Sequence, residues 1–342
     1  MMLRQGRPAL PGCLLLGLLA VCAMPATASR QDRHTEEAPT EYHVSPRGHK
    51  LAVRRWLPSP AGGYEKGAVI VIQHGAGIPN GYYDVLSRAL AAAGYECVAF
   101  HQQGCGNSEG IGPRGYFTSI DHLGDDLESI LQNERQRHGS SVHMFVLGES
   151  SSAVVVLHHA FRGSDSDVSG YILSGPYLRP NPEMFPLPLK WLRPLLKVAS
   201  TMMPKKQILG KSHENSSEVS HPHSLARPLH ELLMTSDRIW RSIAHLNVPF
   251  ALFLGLSNTL INVTDSRQIY QNAMSSDKVM KEYAGGTHHL LEDTEEITSQ
   301  YVADIIFWLH QRSNKRSAAT PTLDDLIRRN PKIRGGQRGG EE

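Results

Sequence analysis

Three short stretches of this chain carry residue types and spacings that could do chemistry. The first is Gly148-Glu-Ser150-Ser-Ser152, set directly behind the apolar run Val142–Leu147 (VHMFVL) and ahead of an apolar helical stretch. A serine on a sharp strand-to-helix turn is lifted clear of the backbone, where its hydroxyl can attack a carbonyl carbon. Such a turn tolerates only small residues two places either side of the nucleophile. Gly148 meets that demand, Ser152 stands where glycine is usual, and the frame selects Ser150 among the three serines. The second stretch is Gly285-Gly-Thr-His288-His289 behind the last strand-like segment. A glycine turn ahead of an imidazole can deliver a general base, and His288 is favoured over His289. The third is His74-Gly75-Ala76-Gly77 behind the β-branched run Ala68–Gln73 (AVIVIQ). Its glycines let main-chain N–H groups approach a reacting carbonyl, so Ala76 and Ser151 are the expected oxyanion donors.

These loops need elements to hold them. AVIVIQ reads as a strand buried on both faces. Further strands are expected at Tyr95–Phe100, Val142–Leu147, Gly170–Ser174, Val248–Gly255 and Val279–Tyr283, the last three as buried strands. Helical spacing covers Tyr83–Ala93, Ile120–Arg137 (entered near Ser119), Ala153–Phe161 and Thr298–His310. Alternation of this kind implies an α/β domain over residues 42–312, a mostly parallel central sheet with helices on both faces. Ligands of such sheets sit beyond the carboxyl ends of the strands, where all three stretches fall. From Tyr177 to about His245 the alternation breaks into helical and proline-rich pieces, including the apolar Phe185–Leu196. The expected role is a helical cap whose apolar face meets a lipid chain or a membrane surface.

The ends read differently. Arg4 and Arg7, the apolar segment Cys13–Met24 and Ala26-Thr27-Ala28 form a secretory signal over residues 1–28, with an uncleaved anchor as the alternative. Residues 29–41 are a polar leader, and residues 313–342 a basic, apolar-poor tail. A secreted or extracytoplasmic location follows as an expectation. Cys97 and Cys105 then remain in the mature chain, read as two free thiols rather than a disulfide. Asn215 and Asn262 head two glycosylation sequons. With 35 Lys+Arg against 33 Asp+Glu the net charge is only +2, which gives no electrostatic reason to expect nucleic acid. No metal-ligand constellation is apparent, no cofactor is called for, and oligomeric state is not readable.

HGAG, Gly104-Cys-Gly-Asn-Ser-Glu-Gly110, the elbow and Gly285-Gly-Thr-His288 occur in that order. Together they resemble the monoglyceride lipases of the lysophospholipase-like branch of the α/β-hydrolases, grouped with the serine aminopeptidase S33 superfamily. The resemblance runs from about Tyr42 to Arg312. It implies an α/β-hydrolase fold with a mobile cap, and hydrolysis of a fatty acyl ester of glycerol or a lysophospholipid without a cofactor. It also marks a departure. The family carries its triad Asp in a G-x-x-D turn behind the strand that begins Val248-Pro-Phe250. Here that turn is Gly255-Leu-Ser-Asn258, and a second Asp common a turn later is Asn262. Asn258 is expected to orient His288 through its carbonyl oxygen, with Asp265 or Glu292 as substitute carboxylates. His101, where many relatives have Asp, is given no role. Replacing the Asp by Asn in a serine protease slows turnover about 10⁴-fold. The reading is therefore a serine esterase or lipase, with slowed turnover the expected consequence of Asn258. Two alternatives stand beside it: a degenerate hydrolase that binds an acyl ligand or a partner, and a peptidase of the same fold.

Overall fold

The computed structural model describes residues 39–58, 67–75, 81–163, 166–179, 181, 189–208 and 225–313. The secretory signal, most of the leader, most of the basic tail, Ala76 and the Asn215 sequon lie outside the described residues.

Eight strands form one sheet: β1 (Glu41–Val44), β2 (Lys50–Trp56), β3 (Ala68–Gln73), β4 (Glu96–Phe100), β5 (His143–Glu149), β6 (Val168–Ser174), β7 (Phe250–Gly255) and β8 (Lys278–Tyr283). Their order across the sheet is β1-β2-β4-β3-β5-β6-β7-β8. β1 and β2 run antiparallel, as do β2 and β4, and every later pair is parallel. The helices are α1 (Asp84–Ala92), α2 (Ile120–His138), α3 (Ser152–Arg162), α4 (Leu189–Met202), α5 (Ala226–Ser242), α6 (Val263–Asn272) and α7 (Glu295–Ser313). This is the mostly parallel sheet flanked by helices that the strand–helix alternation predicts, and the α/β-hydrolase arrangement that the resemblance implies.

The order follows from burial. β3 and β5 are apolar over most of their length and buried, and they occupy the middle of the sheet, while the buried β7 is shielded from the edge by β8. One core layer joins Val69, Val71, Met144 and Val146 to α2, α3 and α5; the other joins Ile70, Ile72, Phe145 and Leu147 to α1 and α7. Ser119 caps α2, its side chain accepting from the Asp121 N–H at 3.0 Å.

Two expectations are corrected, one on β8 and one on metal ligands. β8 is an edge strand, half open to solvent, rather than a buried one. Among the described residues the first strand is β1, with Glu41 paired to Val53, and the last helix, α7, runs to Ser313. β1, β2 and α6 had no counterpart in the reading of the sequence. Finally, a possible metal-ligating group does exist: Glu96, Glu134 and His138 converge from β4 and α2. Arg55 of β2 already supplies the cation there. It hydrogen-bonds both oxygens of Glu134 (2.7 and 2.8 Å) and pairs with Glu96, so the cluster is an ion-pair network tying the sheet edge to α2.

Cys97 and Cys105 are separate buried thiols, each pushed up to about 12 by burial. Between β6 and β7 the chain leaves the sheet and forms α4 and α5, the predicted insertion. The two helices are joined by an Arg193–Asp237 ion pair, and Arg227 reaches from α5 to the Thr118 carbonyl at 2.9 Å.

Candidate active site

β5 ends at Glu149 and α3 begins at Ser152, which leaves Ser150 on the turn between them. Its φ is +58°, a left-handed conformation that non-glycine residues rarely adopt. Two main-chain bonds hold it there. The Ser150 N–H donates to the Ser174 carbonyl (2.9 Å), and the Tyr177 N–H donates to the Ser150 carbonyl (3.0 Å). The steric demand on the elbow is visible at Gly148, where a Cβ would lie 2.7 Å from the Val156 side chain and 3.0 Å from the Ala153 Cα. Ser152, the departure from glycine, is buried and used. Its hydroxyl accepts from the Glu149 N–H (2.8 Å) and reaches the Gln73 carbonyl (2.6 Å), stitching the ends of β5 and β3 together.

The loop behind β8 carries His288 back over the sheet. Asp293 ties it down, accepting from the Thr287 N–H and hydroxyl at 2.6 and 2.9 Å. The loop crosses so close to the end of β7 that a Cβ on Gly255 would meet the Thr287 carbonyl at 2.0 Å. Glycine is therefore required at the head of the turn that carries Asn258. That turn is pinned to the histidine loop by the Ser257 N–H, which donates to the Gly286 carbonyl at 2.8 Å.

The result is a line of three side chains. Nε2 of His288 lies 2.8 Å from Oγ of Ser150, and Nδ1 of His288 lies 2.8 Å from the amide nitrogen of Asn258. Asn258 and His288 are buried. Burial, reinforced by the neighbouring His289 charge, pushes the His288 pKa down to about 3. The structure thus brings together Ser150, His288 and Asn258. It corrects one detail: the carbonyl oxygen of Asn258 faces the main-chain N–H groups of Leu260 (2.9 Å) and Ile261 (3.2 Å), not the imidazole. Neither substitute carboxylate takes the place of Asp. Both ring nitrogens of His288 are engaged as above; Asp265 lies against Arg179, and Glu292 acts on His289 through its charge. Ser151 is buried at the head of α3, next to the nucleophile position, and the HGxG loop is described as far as Gly75, short of Ala76.

His101 and His74 prove structural. The His101 ring accepts from the Asn107 N–H (3.2 Å), and its carbonyl accepts from the Ser108 hydroxyl (2.7 Å), fixing the Gly104–Gly110 loop. His74 accepts from the Gln102 N–H at 3.0 Å.

One group escaped the reading of the sequence. Glu149, the variable residue of the elbow, is almost fully buried and accepts from the hydroxyls of Tyr82 (2.7 Å) and Tyr83 (3.1 Å). Its Oε1 also lies 3.0 Å from Nδ1 of His289. Burial pulls the His289 pKa down, but the hydrogen bond to Glu149 and its charge outweigh that and raise it above the ordinary value. A charged residue beside the nucleophile, with Tyr82 and Tyr83 paired elsewhere, was the available signal.

A parallel sheet with a serine on the β5 elbow, bonded to an imidazole from the loop behind the last strand, is the framework of a serine α/β-hydrolase. Comparison with known proteins agrees. Residues 64–295 match the family described as serine aminopeptidase, S33, and the chain belongs to that family. Human (Homo sapiens) monoglyceride lipase is 28% identical over 294 residues, spanning 81% of this chain and 92% of that protein. The Rattus norvegicus monoglyceride lipase is 29% identical over 283 residues, 79% of this chain and 89% of that protein. A soluble variant of the Saccharomyces cerevisiae monoglyceride lipase, solved with a substrate analog, superposes with a TM-score of 0.70 at 19% identity, covering 82% and 98% of the two chains. Within its family, the chain stands with the carboxylic ester hydrolases.

Proposed function

We propose that the chain hydrolyses a fatty acyl ester, a monoacylglycerol or a lysophospholipid, through an acyl-enzyme on Ser150. The 2.8 Å bond between Ser150 Oγ and His288 Nε2 at the elbow carries this reading. In the mechanism, Oγ attacks the ester carbonyl and its proton passes to the imidazole. The carbonyl electrons collect on oxygen, where the Ser151 N–H is the expected donor, with Ala76 as the second donor that the HGxG sequence suggests. The imidazole then returns the proton to the leaving alcohol, and water repeats the sequence to free the fatty acid. Every group needed is a side chain or a main-chain amide, so the chemistry calls for no cofactor.

The cap supports an acyl substrate presented at a surface. On α4, Trp191, Leu195, Val198 and Met202 recur at helical spacing and are exposed, Leu195 at 68% and Met202 at 76%, while Leu196 and Ser200 on the other face are buried. α4 has no acidic residue, and Lys197 on it and Lys206 just behind it are exposed. An apolar stripe edged with lysines suits peripheral contact with a lipid surface. Among the described residues no helix is long and apolar enough to cross a membrane. Arg4, Arg7, Cys13–Met24 and Ala26-Thr27-Ala28 support entry into the secretory pathway.

A second reading, acyl-ligand binding without turnover, draws on Asn258. One experiment separates the two: p-nitrophenyl esters and monoacylglycerols of graded chain length, assayed on the wild type beside Ser150→Ala. Hydrolysis by the wild type that disappears in the alanine variant is expected. Ligand binding with equal, background rates in both would establish the second reading.

A further inference from the structure

We propose that Asn258 is a tautomer-setting residue: it keeps the His288 proton on Nε2, so that in the resting site the imidazole donates to Ser150 instead of accepting from it. The proposal rests on the hydrolase reading for its catalytic meaning, but its structural core stands apart from it.

The argument begins with the two ends of one carboxamide. At one end, the N–H groups of Leu260 and Ile261 point at Asn258 from 2.9 and 3.2 Å. Both are main-chain donors, so only the carbonyl oxygen can satisfy them. This fixes the amide without reference to how its oxygen and nitrogen are labelled. The NH₂ group must then face the other way, where Nδ1 of His288 lies at 2.8 Å. A donor facing Nδ1 requires a lone pair there. In a neutral imidazole the single proton is then on Nε2, 2.8 Å from the Ser150 oxygen. The ring is neutral at physiological pH because burial and the His289 charge hold its pKa at about 3.

General-base catalysis needs the opposite polarity. As the Oγ–carbon bond forms, the O–H bond breaks and its proton must land on a lone pair at Nε2, while the carbonyl π electrons move onto oxygen. A ring already protonated at Nε2 has no place for that proton, so wild-type turnover must pass through the less populated Nδ1–H tautomer and is slowed accordingly. The competent tautomer carries its proton on Nδ1, which would point at the NH₂ of Asn258. Turning the amide over relieves that clash but sets NH₂ against two main-chain donors. An aspartate has no such conflict. One oxygen keeps Leu260 and Ile261, and the other accepts from Nδ1–H, freeing the Nε2 lone pair for Ser150. The turn is thus built to hold a carboxylate, and one change of NH₂ for oxygen inverts the dyad.

The groups around His288 are Ser150, Asn258 and His289, with Glu149 and Glu292 acting on His289 from behind. Among the described residues no carboxylate touches His288 itself. Asn258→Asp places one there and brings its pKa back up toward or above the ordinary histidine range.

The test uses the full chain with ¹⁵N-labelled histidine. In wild-type protein at pH 7.5, NMR is expected to show His288 with a protonated Nε2 and an unprotonated Nδ1, and Asn258→Asp is expected to exchange the two. Turnover of a short-chain p-nitrophenyl ester should rise about 10²- to 10⁴-fold in Asn258→Asp, in kcat far more than in KM. The wild-type kcat/KM should be flat between pH 5 and 8, whereas Asn258→Asp should gain a limb that rises with pH through the histidine range. A wild-type Nδ1–H signal overturns the proposal even if esters are cleaved, as does an Asn258→Asp variant with the exchanged tautomer and no gain over an active wild type. The expected tautomers in both proteins with no cleavage by either would leave the proton assignment standing and sink the hydrolase reading instead.

Discussion

Two adjacent imidazoles occupy one corner of the molecule, and their surroundings drive them in opposite directions. His288 and His289 lie edge to face with ring centroids 4.8 Å apart. Both are penalised by burial, which disfavours a charged ring. His288 has only a neutral amide and a hydroxyl to set against that cost, and its pKa falls to about 3. His289 has Glu149, and its pKa rises. The partner decides the outcome, not the depth of burial. The corner does hold a buried carboxylate, but on the wrong histidine for catalysis: Glu149 is committed to Tyr82, Tyr83 and His289. Neither Glu149 nor Glu292 replaces the missing Asp, because the carboxylate must meet Nδ1 of the ring that faces Ser150.

That contrast can be broken from either side. The largest effect is expected from Ser150→Ala, which removes the nucleophile and should lower kcat by about 10³-fold or more while leaving the fold intact, as thermal unfolding would verify. Next comes Asn258→Asp, which gives His288 the type of partner His289 already has, and the gain in ester turnover set out above. Glu149→Gln takes His289's partner away. The His289 pKa should drop, and His288, relieved of a neighbouring charge, should titrate higher, both read in an NMR pH titration. Because two tyrosine hydroxyls and an imidazole lose a charged acceptor, a stability loss of about 1–3 kcal/mol is expected in denaturant unfolding. The smallest effect on chemistry belongs to the cap. Leu195→Asp with Val198→Asp should weaken binding to anionic lipid vesicles while hydrolysis of a soluble short-chain ester changes less than about threefold, since these side chains are exposed on the cap.

Much of this was legible in the residues. The central strands announce themselves because they are buried on both faces and must be apolar throughout; Ala68–Gln73 and the run ahead of Gly148 are the clearest cases. Ser150 and His288 could be named because a nucleophile elbow and a glycine-led histidine have local steric requirements that appear as local sequence. β1 and β2 were not legible. They are edge-side antiparallel strands whose stability comes from pairing with β4 and from Arg55 reaching Glu134, a contact 79 residues away in sequence. α6 is short, polar and half-buried, so it lacks an apolar stripe; its start is marked mainly by the Asn262 side chain accepting from the Asp265 N–H. The orientation of Asn258 could not be read either. An amide and an imidazole at the right spacing look the same whichever end of the amide faces the ring, and only Leu260 and Ile261 in three dimensions decide it. The same holds for Glu149, whose three partners come from the two residues just ahead of α1 and from the histidine loop.

The central claim is that Ser150 is a nucleophile served by His288. Covalent labelling with a fluorophosphonate ester, followed by intact mass and peptide mapping, tests it most directly. One phosphonyl group is expected on Ser150 of the wild type, gained faster by Asn258→Asp and absent from Ser150→Ala. Equal labelling of Ser150→Ala, or a label mapped to another residue, would contradict the account.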